Sequence, residues 1–279
     1  MTLPLLAAAG AILLWSTLAS FGLALSHVPP FLLTGCALVV GALPGVWRWR
    51  EWRVPPRTLL LGVCGLFGFH FLLFLALRLA PPVEANLVNY LWPLLIVVLT
   101  PVLLPGWRLT LRHAAAALAG LAGAAIAIGA APAALTDRAL AGFMLAAGSA
   151  LVWACYSLLV RRVPPFSSWA IGGFALASGV LALVCHALAE PAATLSPRDG
   201  LLLAALGLGP MGAAFYLWDV AMKRGDPRVV GVLAYATPLL STALLLAITG
   251  RPPTLSLVAA AALIVGAAIM AVAASAKPP

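Results

Sequence analysis

Asn86, Asn89, Tyr90 and Pro93 stand at offsets of zero, three, four and seven, so on a helix they share one face. Two amides and a phenol on one face offer donors and acceptors without net charge. That suits a zwitterion, which needs partners for both its signs; the alternative is hydrogen-bonded glue between helices. Trp92 stands between Tyr90 and Pro93. A second stripe, Ser149, Trp153, Tyr156 and Ser157, runs at offsets of zero, four, seven and eight. It could form an aromatic wall with hydroxyls that stacks on an aromatic ligand, or simply pack a core. Trp15, followed by Ser16 and Ser20, offers another indole. His70 is flanked at helical spacing by Phe67, Phe71 and Phe74. It could hydrogen-bond a substrate, carry a proton, or remain a neutral partner in the helix bundle. Tyr235 and Pro238 repeat the spacing of Tyr90 and Pro93. Each proline removes a backbone hydrogen bond and should bend its helix, as a hinge or as a packed kink. Asp219 stands four residues before Lys223, the spacing of a helical ion pair.

The elements that must position these groups follow from composition. Of 279 residues, 64% are hydrophobic and 8% charged, against about 25% charged in soluble domains. The mean hydropathy is +1.11. A soluble enzyme, a disordered chain and a fibrous protein are excluded, and the expected fold is an all-α polytopic membrane protein. Apolar runs of spanning length cover 3–26, 30–47, 57–79, 82–104, 110–130, 139–161, 167–188, 199–222, 227–248 and 254–274. They do not alternate as barrel strands would. Counted in alternate turns, Lys and Arg number twelve on one side and four on the other, which predicts ten spans with both termini cytoplasmic. The net charge of +9 therefore reflects membrane orientation, and no nucleic-acid partner is expected. The run Trp47-Arg48-Trp49-Arg50-Glu51-Trp52-Arg53 reads as a membrane interface for the same reason. Four separate cysteines inside apolar runs predict neither a disulfide framework nor a metal centre. The N-terminus lacks a basic leader, so the first run reads as a retained helix. No nucleophile–base pair, metal triad or ATP-binding loop stands out, so no catalytic residue, cofactor or metal is expected.

Shifting the chain by 145 residues superposes Ala76 on Ala221, Arg78 on Lys223, Pro82 on Pro227, Tyr90 on Tyr235 and Pro93 on Pro238. A shift of 138 brings Leu13-Leu14-Trp15 onto Leu151-Val152-Trp153. The chain thus divides into 1–137 and 138–279, each with five helices. Five is odd, so two halves of like fold must be inverted relative to each other. Inverted repeats are a transporter architecture, with the site at the midplane between halves.

The ten-helix plan resembles the drug/metabolite transporter superfamily, in its EamA-type branch. The block Asn89-Tyr90-Leu91-Trp92-Pro93-Leu94-Leu95-Ile96, with Gly68-Phe69-His70-Phe71 and Leu14-Trp15-Ser16-Thr17, is similar to the YddG-type aromatic amino acid exporters within it. One departure is Gly106-Trp107 and Gly250-Arg251 where such halves often carry Gly-Glu, so no role of that glutamate transfers. The resemblance implies export of amino acids, aromatic ones above all, across a bacterial inner membrane. A carrier of drug-like amphipaths or purines from the same superfamily is the alternative. The expected substrate contacts are Trp15, His70, Asn86, Asn89, Tyr90, Trp92, Trp153, Tyr156 and Tyr235, with Pro93 and Pro238 as hinges. The expected partners are a small-molecule substrate and the lipid bilayer. No obligatory protein partner is expected, because each half has a full set of spans and a monomer could contain the whole pathway.

Overall fold

The structure is a computed structural model that describes residues 2–128, 136–250, 252 and 255–275. Among the described residues it is helical and contains no strand. Eight helices are long and apolar enough to cross a membrane. They are α1 (Leu3–Ala24), α2 (Pro30–Trp52), α3 (Pro56–Leu79), α4 (Ala85–Leu103), α6 (Asp137–Leu159), α7 (Ser168–Ala189), α8 (Pro197–Arg224) and α9 (Pro227–Ile248). Two further apolar helices are α5 (Leu111–Ile128) and α10 (Leu255–Ser275). The chain is a multi-pass membrane protein. Expected segment ends at 130 and 254 lie outside the described residues.

Helix starts follow local chemistry. Pro30, Pro56, Pro197 and Pro227 each open a helix, where a missing N–H costs nothing. Thr136 caps α6 by accepting from Ala139 N at 3.1 Å, and Ser196 with Asp199 forms a reciprocal cap on α8. The exposed Trp47 and Trp49 lie on a 3₁₀ extension of α2, Leu43–Trp52, with Arg50 and Arg53 over the Trp49 ring.

The irregularities recur with the 145-residue shift. A wide π-helical turn interrupts α3 at Cys64–Gly68 and α8 at Gly209–Ala213. Helix α4 breaks at Tyr90–Leu91, and α9 at Ala234–Tyr235. Pro93 stands two residues after the first break and Pro238 three residues after the second. Each lacks an N–H for the carbonyl four residues back, at Asn89 and Ala234, so the ladder opens just before the proline. Helix α1 also breaks, at Ser16–Thr17, where both hydroxyls donate to carbonyls three residues back at 2.7 Å. Matched contacts recur too. Phe31 of α2 meets Phe71 of α3 at 5.7 Å between centroids, and Trp169 of α7 meets Tyr216 of α8 at 5.8 Å.

Helices α2 and α7 pack along their length through glycines. A Cβ on Gly35 would stand 2.6 Å from Leu183 Cγ and 3.1 Å from Gly179 O. Gly22, by contrast, faces open space. Gly35→Ala should therefore destabilise by about 1–3 kcal/mol through overpacking. Gly22→Ala should be neutral or slightly stabilising, since alanine favours the helix. Thermal unfolding in detergent checks both; equal effects would remove the packing argument.

Each end of the bundle carries a polar tie. At one end the Glu190 side chain is fully enclosed. It accepts from Phe31 N at 3.0 Å and Leu32 N at 3.2 Å, pairs with Arg78 Nη2 at 2.7 Å, and lies 3.0 Å from His186 Nδ1. It thereby caps α2 while holding the ends of α3 and α7. His186, one turn earlier on α7, is this carboxylate's neighbour. At the other end Asp219 pairs with Lys223 at 2.7 Å, as their spacing predicts, and Lys223 donates to Phe166 O at 3.0 Å.

Candidate functional site

Four indoles meet in the middle of the chain's fold. Trp15 comes from just before the α1 break, Trp92 from just after the α4 break, Trp153 from α6 and Trp218 from α8. Ring centroids are 5.1 Å apart for Trp15–Trp218, 5.4 Å for Trp92–Trp218, 5.8 Å for Trp15–Trp153 and 6.4 Å for Trp92–Trp153. All four are buried. Phe215 lies 5.7 Å from Trp153 and 6.0 Å from Trp15, Phe69 lies 5.4 Å from Trp153, and Tyr156 lies 5.3 Å from it. Most pairs meet edge-on or tilted, the arrangement that aromatic quadrupoles favour.

Residues that correspond between the halves touch one another here. Trp15 and Trp153 are related by the 138 shift. His70 and Phe215 are related by the 145 shift, and their rings are 6.3 Å apart. The cluster therefore draws its rings from both the earlier and the later part of the chain.

The wide turns shape this cluster. A π turn takes a carbonyl out of the regular ladder, and such turns gather at functional sites. In α8 Pro210 O accepts from Trp15 Nε1 at 3.1 Å. In α3 Leu66 O lies 2.6 Å from His70 Nδ1. A carbonyl can only accept, so Nδ1 carries the proton and a neutral ring presents Nε2 as an acceptor. Gly65, in the same turn, lets Tyr156 approach: a Cβ there would lie 2.3 Å from the Tyr156 ring.

The remaining polar groups divide into engaged and available. Trp218 Nε1 donates to Ser157 at 3.0 Å, and Ser149 donates to Asn89 Oδ1 at 2.7 Å. That leaves the Asn89 amide N–H groups to donate elsewhere. The indole N–H groups of Trp92 and Trp153, and His70 Nε2, have no protein partner among the described residues. The ring cluster contains no carboxylate, lysine or arginine. Among the described residues no three His, Cys, Asp or Glu side chains are grouped to hold a metal ion.

Of the residues singled out from sequence, Trp15, His70, Trp92, Trp153 and Tyr156 come together, with Asn89 hydrogen-bonded to α6 beside them. Asn86 and Tyr90 are half-buried on α4, and Tyr90 joins none of the ring contacts. Tyr235 lies elsewhere, wholly buried with Ala124 and Ile264 and close against Gly120. Sequence reasoning missed Phe69, Phe215 and Trp218 as members. The repeat held the signal for two of them, because Phe215 is the counterpart of His70 and Trp218 is one turn further along the same face.

The EamA-like transporter family model matches this chain over residues 2–129 and again over 140–273. The chain belongs to the EamA-like transporter family. Membership makes it a transporter and not an enzyme. A family relative, the aromatic amino acid exporter YddG of Ancylobacter novellus, is 44% identical over 270 residues, which are 94% of each chain. A protein known from a crystal structure, also 44% identical, superposes with a TM-score of 0.90 over 96% of each chain.

Proposed function

We propose that this transporter exports amino acids, aromatic and other neutral ones foremost, across the bacterial inner membrane. It does so by alternating access through a central cavity between two inverted five-helix repeats, 1–137 and 138–279. Ten helices span the bilayer and both termini are cytoplasmic. The observation that carries this reading is the meeting of Trp15 with Trp153 and of His70 with Phe215, corresponding residues at the junction of the halves. The naming of a 44% identical relative as an aromatic amino acid exporter supports the substrate class. A twofold-related pair of halves can exchange conformations, which opens the junction to each side in turn.

The substrate's parts suit the groups that remain available. An apolar or aromatic side chain lies among the indoles, which must part to admit it. The ammonium finds an acceptor in His70 Nε2. The carboxylate finds donors in the Asn89 amide and the Trp92 and Trp153 indoles. Tyr156 belongs to the ring wall, Asn86 and Tyr90 line the approach, and Tyr235, in the α9 break, acts on the path through that helix. The breaks at Tyr90–Leu91 and Ala234–Tyr235, set by Pro93 and Pro238, are the hinges. A neutral site of this kind binds a zwitterion without burying net charge, which would be costly in the membrane. Each half has its own spans, so the protein functions as a monomer.

The test is counterflow in liposomes preloaded with unlabelled amino acid. Labelled phenylalanine, tryptophan, threonine and alanine are supplied in turn, without and then with an ion gradient. The expected result is saturable counterflow that is strongest for the aromatic substrates. No counterflow of any amino acid by folded protein would overturn the reading and favour drug-like or purine substrates.

A further inference from the structure

At the basic end of the bundle, a recess of about 350 Å³ is lined by Leu104, Pro105, Trp107, Arg161 and Arg162. The first three residues follow α4, and the two arginines follow α6. Two guanidinium groups lie over the Trp107 ring, Arg161 at 5.2 Å and Arg228 at 5.1 Å from its centroid. Arg161 is anchored from behind: its Nη2 donates to Lys223 O at 3.0 Å and Gly225 O at 2.8 Å. Arg162 is exposed and makes one longer bond, from Nη1 to Leu103 O at 3.3 Å.

With 16 basic and 7 acidic residues many cations go unpaired, and these two adjacent arginines are among them. Arg228 is neutralised by Asp226 at 2.7 Å, Lys223 by Asp219, Arg48 by Glu51, and Arg78 by Glu190. Arg161 and Arg162 have no carboxylate within ion-pair distance among the described residues. Asp226 acts electrostatically on Arg161 and is paired with Arg228. Two adjacent guanidinium groups without a direct carboxylate partner therefore line the recess, with Arg161 Nε and Nη1, and Arg162 Nε and Nη2, unspent. A guanidinium fork matches the oxygens of a phosphate group. The recess lies at the end of membrane-spanning helices, where the apolar Trp107 and Leu104 line it beside the arginines. Basic pockets between such helices suit anionic head groups.

We propose that this recess binds the phosphate of an anionic phospholipid. The head group would sit between the α4 end and the α6 end, and so join the first half of the chain to the second. The same chemistry could hold a free phosphate ion, and the experiment separates the two sources. Full-length protein in dodecyl maltoside is titrated with dioctanoyl phosphatidylglycerol, dioctanoyl phosphatidylcholine or inorganic phosphate. Bound lipid is counted by native mass spectrometry, and the unfolding midpoint is followed in parallel. The expected result is one retained phosphatidylglycerol. Arg162→Gln should weaken it about tenfold, the loss of one charge-assisted hydrogen-bonded partner. Arg161→Lys should weaken it in the same direction, because an ammonium cannot hold both carbonyls and a phosphate in a fork. Arg48→Gln, at an arginine already paired with Glu51, should leave binding unchanged. Arg162→Gln with an ordinary lipid-free midpoint and undiminished phosphatidylglycerol binding would overturn the proposal. Equal binding of phosphatidylcholine would remove the anionic selectivity. Saturation by inorganic phosphate at the same concentration would assign the recess to the free ion.

Discussion

Trp153→Ala should reduce amino acid counterflow about thirty-fold or more. Buried tryptophan anchors of binding sites commonly contribute about 2 kcal/mol or more, and that energy corresponds to such a factor. Trp153 is the most connected ring of the cluster: it touches Trp15, Phe69, Trp92, Tyr156, Phe215 and Trp218. Removing it also leaves a cavity, and truncating a buried aromatic side chain costs about 3–5 kcal/mol of stability. A loss of transport alone would therefore not separate binding from folding. Trp153→Phe separates them. It keeps a ring in the space, loses the free indole N–H, and should fold normally while transporting with a raised half-saturation concentration. Trp218→Phe gives the contrast, because the Trp218 N–H is already spent on Ser157. If Trp153→Phe transported with wild-type affinity and Trp153→Ala remained folded and active, the indole would be packing and not part of the binding surface.

Glu190→Ala should lower stability by about 1–3 kcal/mol, the usual cost of leaving buried donors without their acceptor; Arg78, half exposed, adds little. The carboxylate is enclosed and serves three masters at once: the first turn of α2, Arg78 at the end of α3, and His186 on α7. Its loss leaves the N–H groups of Phe31 and Leu32 without their acceptor and the Arg78 guanidinium without its anion. Glu190→Gln should cost less, because an amide oxygen can still cap α2. Glu51→Gln is the control. Its pair with Arg48 is partly exposed, and such pairs contribute about 0–1 kcal/mol. Unfolding midpoints in detergent read all three. A Glu190→Ala midpoint no lower than that of Glu51→Gln would show that the network carries no weight in the fold.

The candidate site is neutral, and the charged ties lie at the two ends of the bundle. Arg78 and Lys223 are counterparts in the repeat, yet their partners differ in kind. Lys223 takes Asp219 from its own helix, whereas Arg78 takes Glu190 from the opposite half. The two ends are therefore held by unequal means although the backbone plan is shared. Sequence spacing revealed the first pair, because four residues on one helix are neighbours by geometry. It could not reveal the second, whose members are 112 residues apart.

The amino-acid sequence by itself determined the helical membrane class, the segment positions, the two-half repeat and the residue types from which a site could be made. These properties are local or comparative: a hydrocarbon-spanning helix is a matter of length and hydropathy, and a repeat is a matter of self-similarity. It also pointed to bends at Pro93 and Pro238, and the structure breaks the helices before them, at Tyr90–Leu91 and Ala234–Tyr235, while Pro101 lies within continuous helix. Only the tertiary structure decided which aromatic rings meet. It brought Phe69, Phe215 and Trp218 into the cluster with Trp15, Trp92 and Trp153, and it put Tyr235 against Gly120 instead. The reason is that a membrane helix is apolar on every side. No hydrophobic stripe tells which face turns inward, and that choice is made by close packing of side chains contributed by helices far apart in the chain.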